Sequence, residues 1–148
     1  MKFSKKSRYG LTALIDLAVY SKEDRVALGS IAERNHISVQ YLEQIFAALR
    51  RAGIVKSIKG AQGGYLLNGD ADKISVASIL EALDGSYHLE NENMDIDSSC
   101  QGIAATIQTR VVDEVNRHLD EVLQNLTLAD LENDYLDYHQ YEQGMYYI

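Results

Sequence analysis

Residues 28–67 read LGSIAERNHISVQYLEQIFAALRRAGIVKSIKGAQGGYLL, and their order decides the fold. Ile31 and Ala32 face inward from a short helix over about 29–35. The tripeptide HIS at 36–38 makes a tight turn, and Ser38 is the N-cap of a second helix. That helix turns Leu42, Ile45, Phe46 and Leu49 inward and keeps Arg50 and Arg51 in its last turn, where they complement the helix dipole. Gly53 stops it. Residues 54–58 alternate as a strand, Gly60-Ala61-Gln62-Gly63-Gly64 turns the chain, and Tyr65-Leu66-Leu67 returns it. Helix, turn, helix and glycine-rich hairpin in this order make a winged helix-turn-helix, a unit that sets its second helix in a DNA major groove.

Upstream, residues 8–21 place Leu11, Leu14, Ile15 and Ala18 on one helical face, with Ser7 as the expected N-cap. Arg25-Val26-Ala27 suffices only for a minor edge strand. Downstream, Asn68-Gly69-Asp70 is a turn. A helix over 74–83 then presents Val76, Ile79, Leu80 and Leu83 on its apolar side and ends at Gly85. The winged domain is thus expected over 1–85. Residues 86–101 form an acidic loop containing Glu90, Glu92, Asp95 and Asp97. From Gly102 to Asn125 runs the longest helix, with Ile103, Ile107, Val111, Val115, Leu119, Val122 and Leu126 at spacings of four or three. A stripe that long, detached from the domain by a loop, has too little of its own chain to cover it and is expected to pack on a partner helix. Thr127 is the expected N-cap of a short final helix, LADLEND. The tail from Tyr135 to Ile148 holds five tyrosines and has no clear pattern. The class is mainly α with a small β-wing, followed over 102–148 by a dimerisation helix, a short helix and a tail.

The net charge of -8 speaks against a nucleic-acid partner until the chain is divided. Residues 1–67 hold 11 Lys/Arg against 5 Asp/Glu; residues 68–148 hold 3 against 17. One half is therefore +6 and the other -14, an asymmetry expected of a protein that binds nucleic acid at one end. The basic half can neutralise phosphates, the source of most non-specific DNA affinity. The single cysteine, Cys100, excludes an internal disulfide and suits a reducing cytoplasm. No apolar run spans a bilayer, and the basic start MKFSKKSRYGL lacks the apolar core of a signal peptide. The absence of proline suits a mostly helical chain. His36, His88, His118 and His139 are scattered without metal-ligand spacing, and no catalytic constellation is present. Asp113, Glu114, Asp120 and Glu121 beside Arg110 and Arg117 read as a solvated helix face.

On the second helix, Ser38, Gln40, Tyr41, Glu43 and Gln44 are left by the inward set to face the groove. Gln can bond adenine bidentately and Glu can accept from cytosine N4; Ser38 and Tyr41 suit phosphates. At the wing tip Lys59 and Gln62 are the expected contacts, with glycines letting the backbone approach closely. Lys5, Lys6 and Arg8 can grip the DNA backbone beside the first helix. Two rival functions remain open on the residues alone: a winged-helix module that binds proteins, and a redox or metal-responsive regulator using Cys100.

The segments SRYGLTALIDLA, SIAERNHISVQYLEQIF and LRRAGIVKSIKGAQGGYLL resemble the Rrf2 family of bacterial winged-helix transcriptional regulators. The resemblance is close over the first 85 residues and continues in architecture through the NLTLADL junction. It implies a homodimer joined largely through the long helix, with Ile103, Ile107, Val111, Val115, Leu119 and Val122 in the interface. It also implies DNA contact by Ser38, Gln40, Tyr41, Glu43, Gln44, Lys59 and Gln62. Cluster-binding members carry three cysteines in the loop before the long helix. Here only Cys100 is present, with Met94, Thr106 and Thr109 nearby, so no iron–sulfur cluster of the usual kind is expected. The acidic loop and the closing GMYYI resemble the cluster-free branch that controls cysteine metabolism. In that branch the resemblance implies repression, and cysteine synthase as a partner.

Overall fold

The computed structural model describes residues 3–91 and 101–145. Helix α1 (Lys5–Tyr20) opens it, followed by α2 (Leu28–Asn35) and α3 (Val39–Arg51). Strands β1 (Val55–Ile58) and β2 (Gly64–Leu67) form the wing, in antiparallel register with Val55 opposite Leu67 and Ile58 opposite Gly64. A 3-10 turn at Ala71–Lys73 leads to α4 (Val76–Asp84). The long helical run comprises α5 (Gln101–Ile107), a π-helical stretch (Gln108–Asp113) and α6 (Glu114–Asn125). Helix α7 (Leu128–Met145) closes it.

The core lies under the helix-turn-helix. Leu14 and Leu17 of α1, Ile31 of α2, Leu42, Ile45, Phe46 and Leu49 of α3, and Ile79 of α4 are fully buried. These apolar faces were periodic in the sequence, whereas Leu11 and Ile15 come out only partly covered. His36 between α2 and α3 takes the left-handed conformation (φ 54°) that lets the chain reverse. Ser38 accepts from the Tyr41 amide at 3.1 Å and so caps α3 as expected. Gly53 (φ 77°) ends that helix in a conformation that other residues adopt at a cost.

Three expectations need correction. Ser4, not Ser7, caps α1 and accepts from the Ser7 amide. Ser7 is buried and donates to Asp84 at 2.5 Å, while Ser4 gives Asp84 both its amide (3.1 Å) and its hydroxyl (2.5 Å). A carboxylate ending α4 thus sits at the positive N-terminus of α1, a favourable placement for a negative charge. The two helices approach closely because Gly10 has no side chain: a Cβ there would lie 2.3 Å from Leu83 Cδ1.

The second correction concerns the final helix. It runs 18 residues rather than ending at LADLEND, since no proline or mid-helix glycine interrupts it. The tail as far as Met145 is therefore helical. Thr127 does cap it, in a reciprocal box in which Thr127 Oγ1 accepts from the Asp130 amide and Asp130 accepts from the Thr127 amide.

Third, the long helix is only half detached. Its end is stitched to the start of α4: the Val76 amide donates to Leu126 O and the Leu128 amide to Ile74 O, both at 2.8 Å. Leu119, Leu123 and Leu126 then join a second apolar cluster with Val76, Leu80, Tyr87 and Leu131. Leu119, expected in the dimer stripe, packs at least partly within its own chain. The stripe residues Ile103, Ile107, Val111 and Val115 are each four apart. In a regular α-helix that spacing drifts about 40° per step; the wider π turn between Ile107 and Glu114 absorbs part of the drift and keeps them more nearly on one face. Of the acidic loop, residues 92–100, including Cys100, lie outside the described residues.

Candidate nucleic-acid interface

The capping of α3 by Ser38 aims the first turn of that helix outward. Ser38, Gln40, Glu43 and Gln44 are exposed, on the face opposite Leu42, Ile45 and Phe46. The Ser38 hydroxyl oxygen is engaged by the cap, which fixes its position at the helix entry. Tyr41 is only half exposed. Its ring meets Tyr9 of α1 edge-on, with centroids 5.6 Å apart at 85°. Lys5 Nζ lies over the other partner of that pair, 5.6 Å from the Tyr9 centroid. Lys5, Tyr9, His36, Ser38 and Tyr41 thereby line one hollow of about 410 Å³ beside the start of α3. Arg8, one turn on from Lys5, is exposed and stacks its guanidinium 4.6 Å from the Phe3 ring. The expected backbone grip of α1 and the expected base-reading helix are thus neighbours in space.

The wing stands beside them. Its base is held to α3 by Phe46, whose ring meets Tyr65 at 4.8 Å, and by a 3.4 Å contact from Arg50 Nη1 to Ser57 Oγ. Its far edge pairs with the segment before α2, where Val26 and Tyr65 exchange both main-chain hydrogen bonds at 3.0 and 2.9 Å. The minor strand expected at 25–27 is therefore a single bridge that widens the wing. Lys59 and Gln62 are both exposed at the tip. Arg25 Nε donates to the Gln62 carbonyl oxygen, a contact that sequence reasoning missed because a lone arginine in a loop carries no pattern.

Other polar clusters brace this face from behind. Asp16 of α1, only 8 % exposed, is held bidentately by Arg34 (2.7 and 2.9 Å) and by Asn35 (2.9 Å), so α1 and α2 are locked together. Arg34 also lies 4.0 Å over the Tyr20 ring, and the Asp16 carboxylate raises its pKa. On the far side Glu132 of α7, buried, takes two bonds from Lys22 at 2.6 and 2.9 Å. Asp120 of α6 departs from the solvated face expected of it: it accepts from the Tyr87 hydroxyl at 2.6 Å and meets His88 Nε2 at 2.7 Å. These contacts hold its pKa below the usual carboxylate range, the Tyr87 bond contributing most. Burial, then the bond to Asp120, pushes the Tyr87 hydroxyl up to about 12. Asn116 completes this strap by accepting from the Leu89 amide and donating to the Leu89 carbonyl. Arg117 with Glu114 and Glu121 remains the exposed ion-pair face that the helix spacing indicated.

A helix-turn-helix, a wing and a basic α1 arranged around one surface call for comparison with known regulators. The model of the Rrf2 family, described as an iron-dependent transcriptional regulator, matches residues 3–134. This chain belongs to the Rrf2 family. The HTH-type transcriptional regulator IscR of Vibrio campbellii is 36 % identical over 134 residues, 90 % of this chain and 79 % of that protein. Among solved structures, CymR, the global cysteine regulator of B. subtilis, aligns with a TM-score of 0.75 at 38 % identity, covering 90 % of this chain and 97 % of that one. IscR of T. potens aligns at 0.70 and 39 %, covering 91 % and 88 %. An oxidized form of Staphylococcus aureus CymR aligns at 0.61 and 37 %, covering 89 % and 96 %.

An Rrf2 chain is a transcriptional regulator and not an enzyme. The mainly helical fold with a two-stranded wing is that of its relatives. No helix among the described residues is long and apolar enough to cross a membrane. The iron that the family description mentions meets a poor donor set here. Cys100 is the single thiol of the sequence and lies outside the described residues. One thiolate per chain does not supply the several that an iron–sulfur cluster takes.

Proposed function

We propose that this Rrf2 regulator is a homodimeric, cluster-free repressor that binds a palindromic operator upstream of cysteine or sulfur metabolism genes, with cysteine synthase as a candidate partner. The observation that carries the reading is the division of exposed surface. Helix α3 and the wing leave Ser38, Gln40, Glu43, Gln44, Lys59 and Gln62 exposed and Tyr41 half exposed, all polar groups. The long helix instead leaves the apolar Ile103, Ile107, Val111, Val115 and Val122 in water. Burying a large aliphatic side chain contributes about 1.5–3 kcal/mol, so a run of five favours a second copy against it. A two-fold dimer would then set its two α3 helices in successive major grooves about one helical turn apart, ~34 Å. The likeness to CymR and the single cysteine support the cysteine-metabolism, cluster-free reading over an iron-sensing one.

The test is recovery and sequencing of DNA fragments bound by purified, metal-free protein, with its mass measured in solution. A dimer enriching one palindrome near sulfur genes would bear the reading out. A monomer, or binding that appears only after cluster reconstitution, would overturn it. Redox control through Cys100 is a second reading, favoured by the structure of a relative in an oxidized form. Unaltered operator binding by Cys100→Ser under oxidant, equal to the parent, would remove it.

A further inference from the structure

The wing tip has less to hold it than its base. Between Ile58 and Gly64 the chain passes through Lys59, Gly60, Ala61, Gln62 and Gly63. Its main-chain bonds there reduce to Gly63 N–H to Gly60 O at 3.0 Å. Gly60 adopts φ 120°, and glycine backbone is the freest of any residue. A tip of this kind would sample many positions relative to α3 unless a side chain from elsewhere fixed it.

We propose that Arg25 is that side chain: a positioning residue that sets the distance between the wing tip and helix α3, and through it the half-site the regulator accepts. Three observations support the assignment. Arg25 Nε donates to the Gln62 carbonyl 37 residues ahead in the chain, at the tip itself. A bond with a charged donor is among the stronger kinds. The neighbouring Val26 is zipped to Tyr65, and a Cβ on Gly64 would come within 2.7 Å of Val26 O, so the stem from which Arg25 reaches is tightly docked. The guanidinium is also steadied from behind, with Nη1 3.6 Å from Asp24 Oδ1, and its side chain is two-thirds covered. Tyr65, anchored on Phe46 of α3, closes the circuit. The tip is thus tied by Arg25 to the segment before α2, and that segment is referred to α3 through Tyr65 and Phe46. Lys59 and Gln62 can then meet DNA at one distance from Gln40 and Gln44.

This inference rests on the operator-binding reading, and the experiment separates the two. Arg25→Ala, Arg25→Lys, Lys59→Ala and the Arg25→Ala/Lys59→Ala double variant are titrated on the recovered operator and mapped by hydroxyl-radical footprinting. Arg25→Ala is expected to weaken binding about tenfold and to erase protection at the flanks, where the wing lies, while central protection and base preference under α3 persist. Lys59→Ala in that background should add little, because a wing already out of place has no contact left to lose. Arg25→Lys, whose ammonium can still donate to the carbonyl, should restore flank protection. Multiplying losses in the double variant would overturn the proposal, since Arg25 would then touch phosphate itself. A drop in thermal midpoint with loss of central protection would also overturn it, reducing Arg25 to a part of the fold. Failure of the parent protein to bind any operator would sink the functional reading first, and this inference with it.

Discussion

Helix α3 and the run from α5 to α6 are both amphipathic, yet they spend their apolar faces in opposite ways. In α3 the stripe Leu42, Ile45, Phe46 and Leu49 is fully buried in its own chain, and the polar residues face outward. In the long run the stripe itself faces outward over Ile103 to Val115 and turns inward only where Leu119, Leu123 and Leu126 meet α4 and α7. A helix that has already spent its apolar face can offer only polar chemistry to a ligand, which suits reading base edges. One that has not is left with an apolar debt that a second copy can settle. The charge follows the same division, basic around α3 and acidic beyond residue 68.

The comparison breaks most visibly in the core. Phe46→Ala should cost about 3–5 kcal/mol, because Phe46 is fully buried and also supports Tyr65 of the wing. Chemical denaturation measures it, and a loss under 1 kcal/mol would mean that α3 is not held as described. Next comes the exposed stripe. Val111→Glu should leave the fold and thermal midpoint of the isolated chain intact yet dissociate the proposed dimer, at roughly 3 kcal/mol because a two-fold interface counts each change twice. Sedimentation would read this directly, and an unchanged mass would put the interface elsewhere. Gln44→Ala or Glu43→Ala should change sequence preference by about 1–3 kcal/mol per lost base contact. Selection from random operators is the measurement, and an identical preferred site in both variants would remove α3 as the reader.

The smallest effect concerns the strap that ties α6 to the segment after α4. Asp120 is held below its ordinary value of 3.8, chiefly by the Tyr87 hydroxyl and then by His88. Its contribution to stability is therefore present above the unfolded value and lost as pH falls through the lower folded one. Tyr87, raised to about 12 by burial and then by Asp120, contributes below its unfolded value near 10 and loses that contribution as pH rises through about 12. Thermal midpoints of the parent and Asp120→Asn across acid pH should converge, since the asparagine variant lacks the titrating group. Parallel curves would show that the strap contributes nothing.

Much of the interface was legible in advance because it rests on local rules. Ser38 as a cap, Gly53 as a stop, and the glycines of the wing follow from backbone sterics and from orphan amides at a helix start, which are visible within a few residues. The missed features depend on residues far apart. Ser4 rather than Ser7 caps α1, and Asp84, nearly 80 residues on, accepts from the hydroxyls of both. Asp120 is drawn from the solvated face by Tyr87, and Arg25 finds a carbonyl at the wing tip. Helix α7 outran its expected end because the polar, tyrosine-rich tail lacks an apolar stripe, although nothing in it stops a helix.

What the sequence determined by itself was the order of elements, most of the inward face of each helix in the winged domain, which polar residues of α3 and the wing tip stay exposed, and the long apolar stripe. All of these are set by periodicity and by capping within one or two turns. Only the tertiary structure decided how the long helix divides between its own chain and solvent. The strands of main chain at Ser75 and Thr127 pair across 52 residues and carry Leu119 and Leu126 into a cluster with Val76 and Leu80. Such pairing depends on shape and loop closure over a long separation, and no local pattern encodes it.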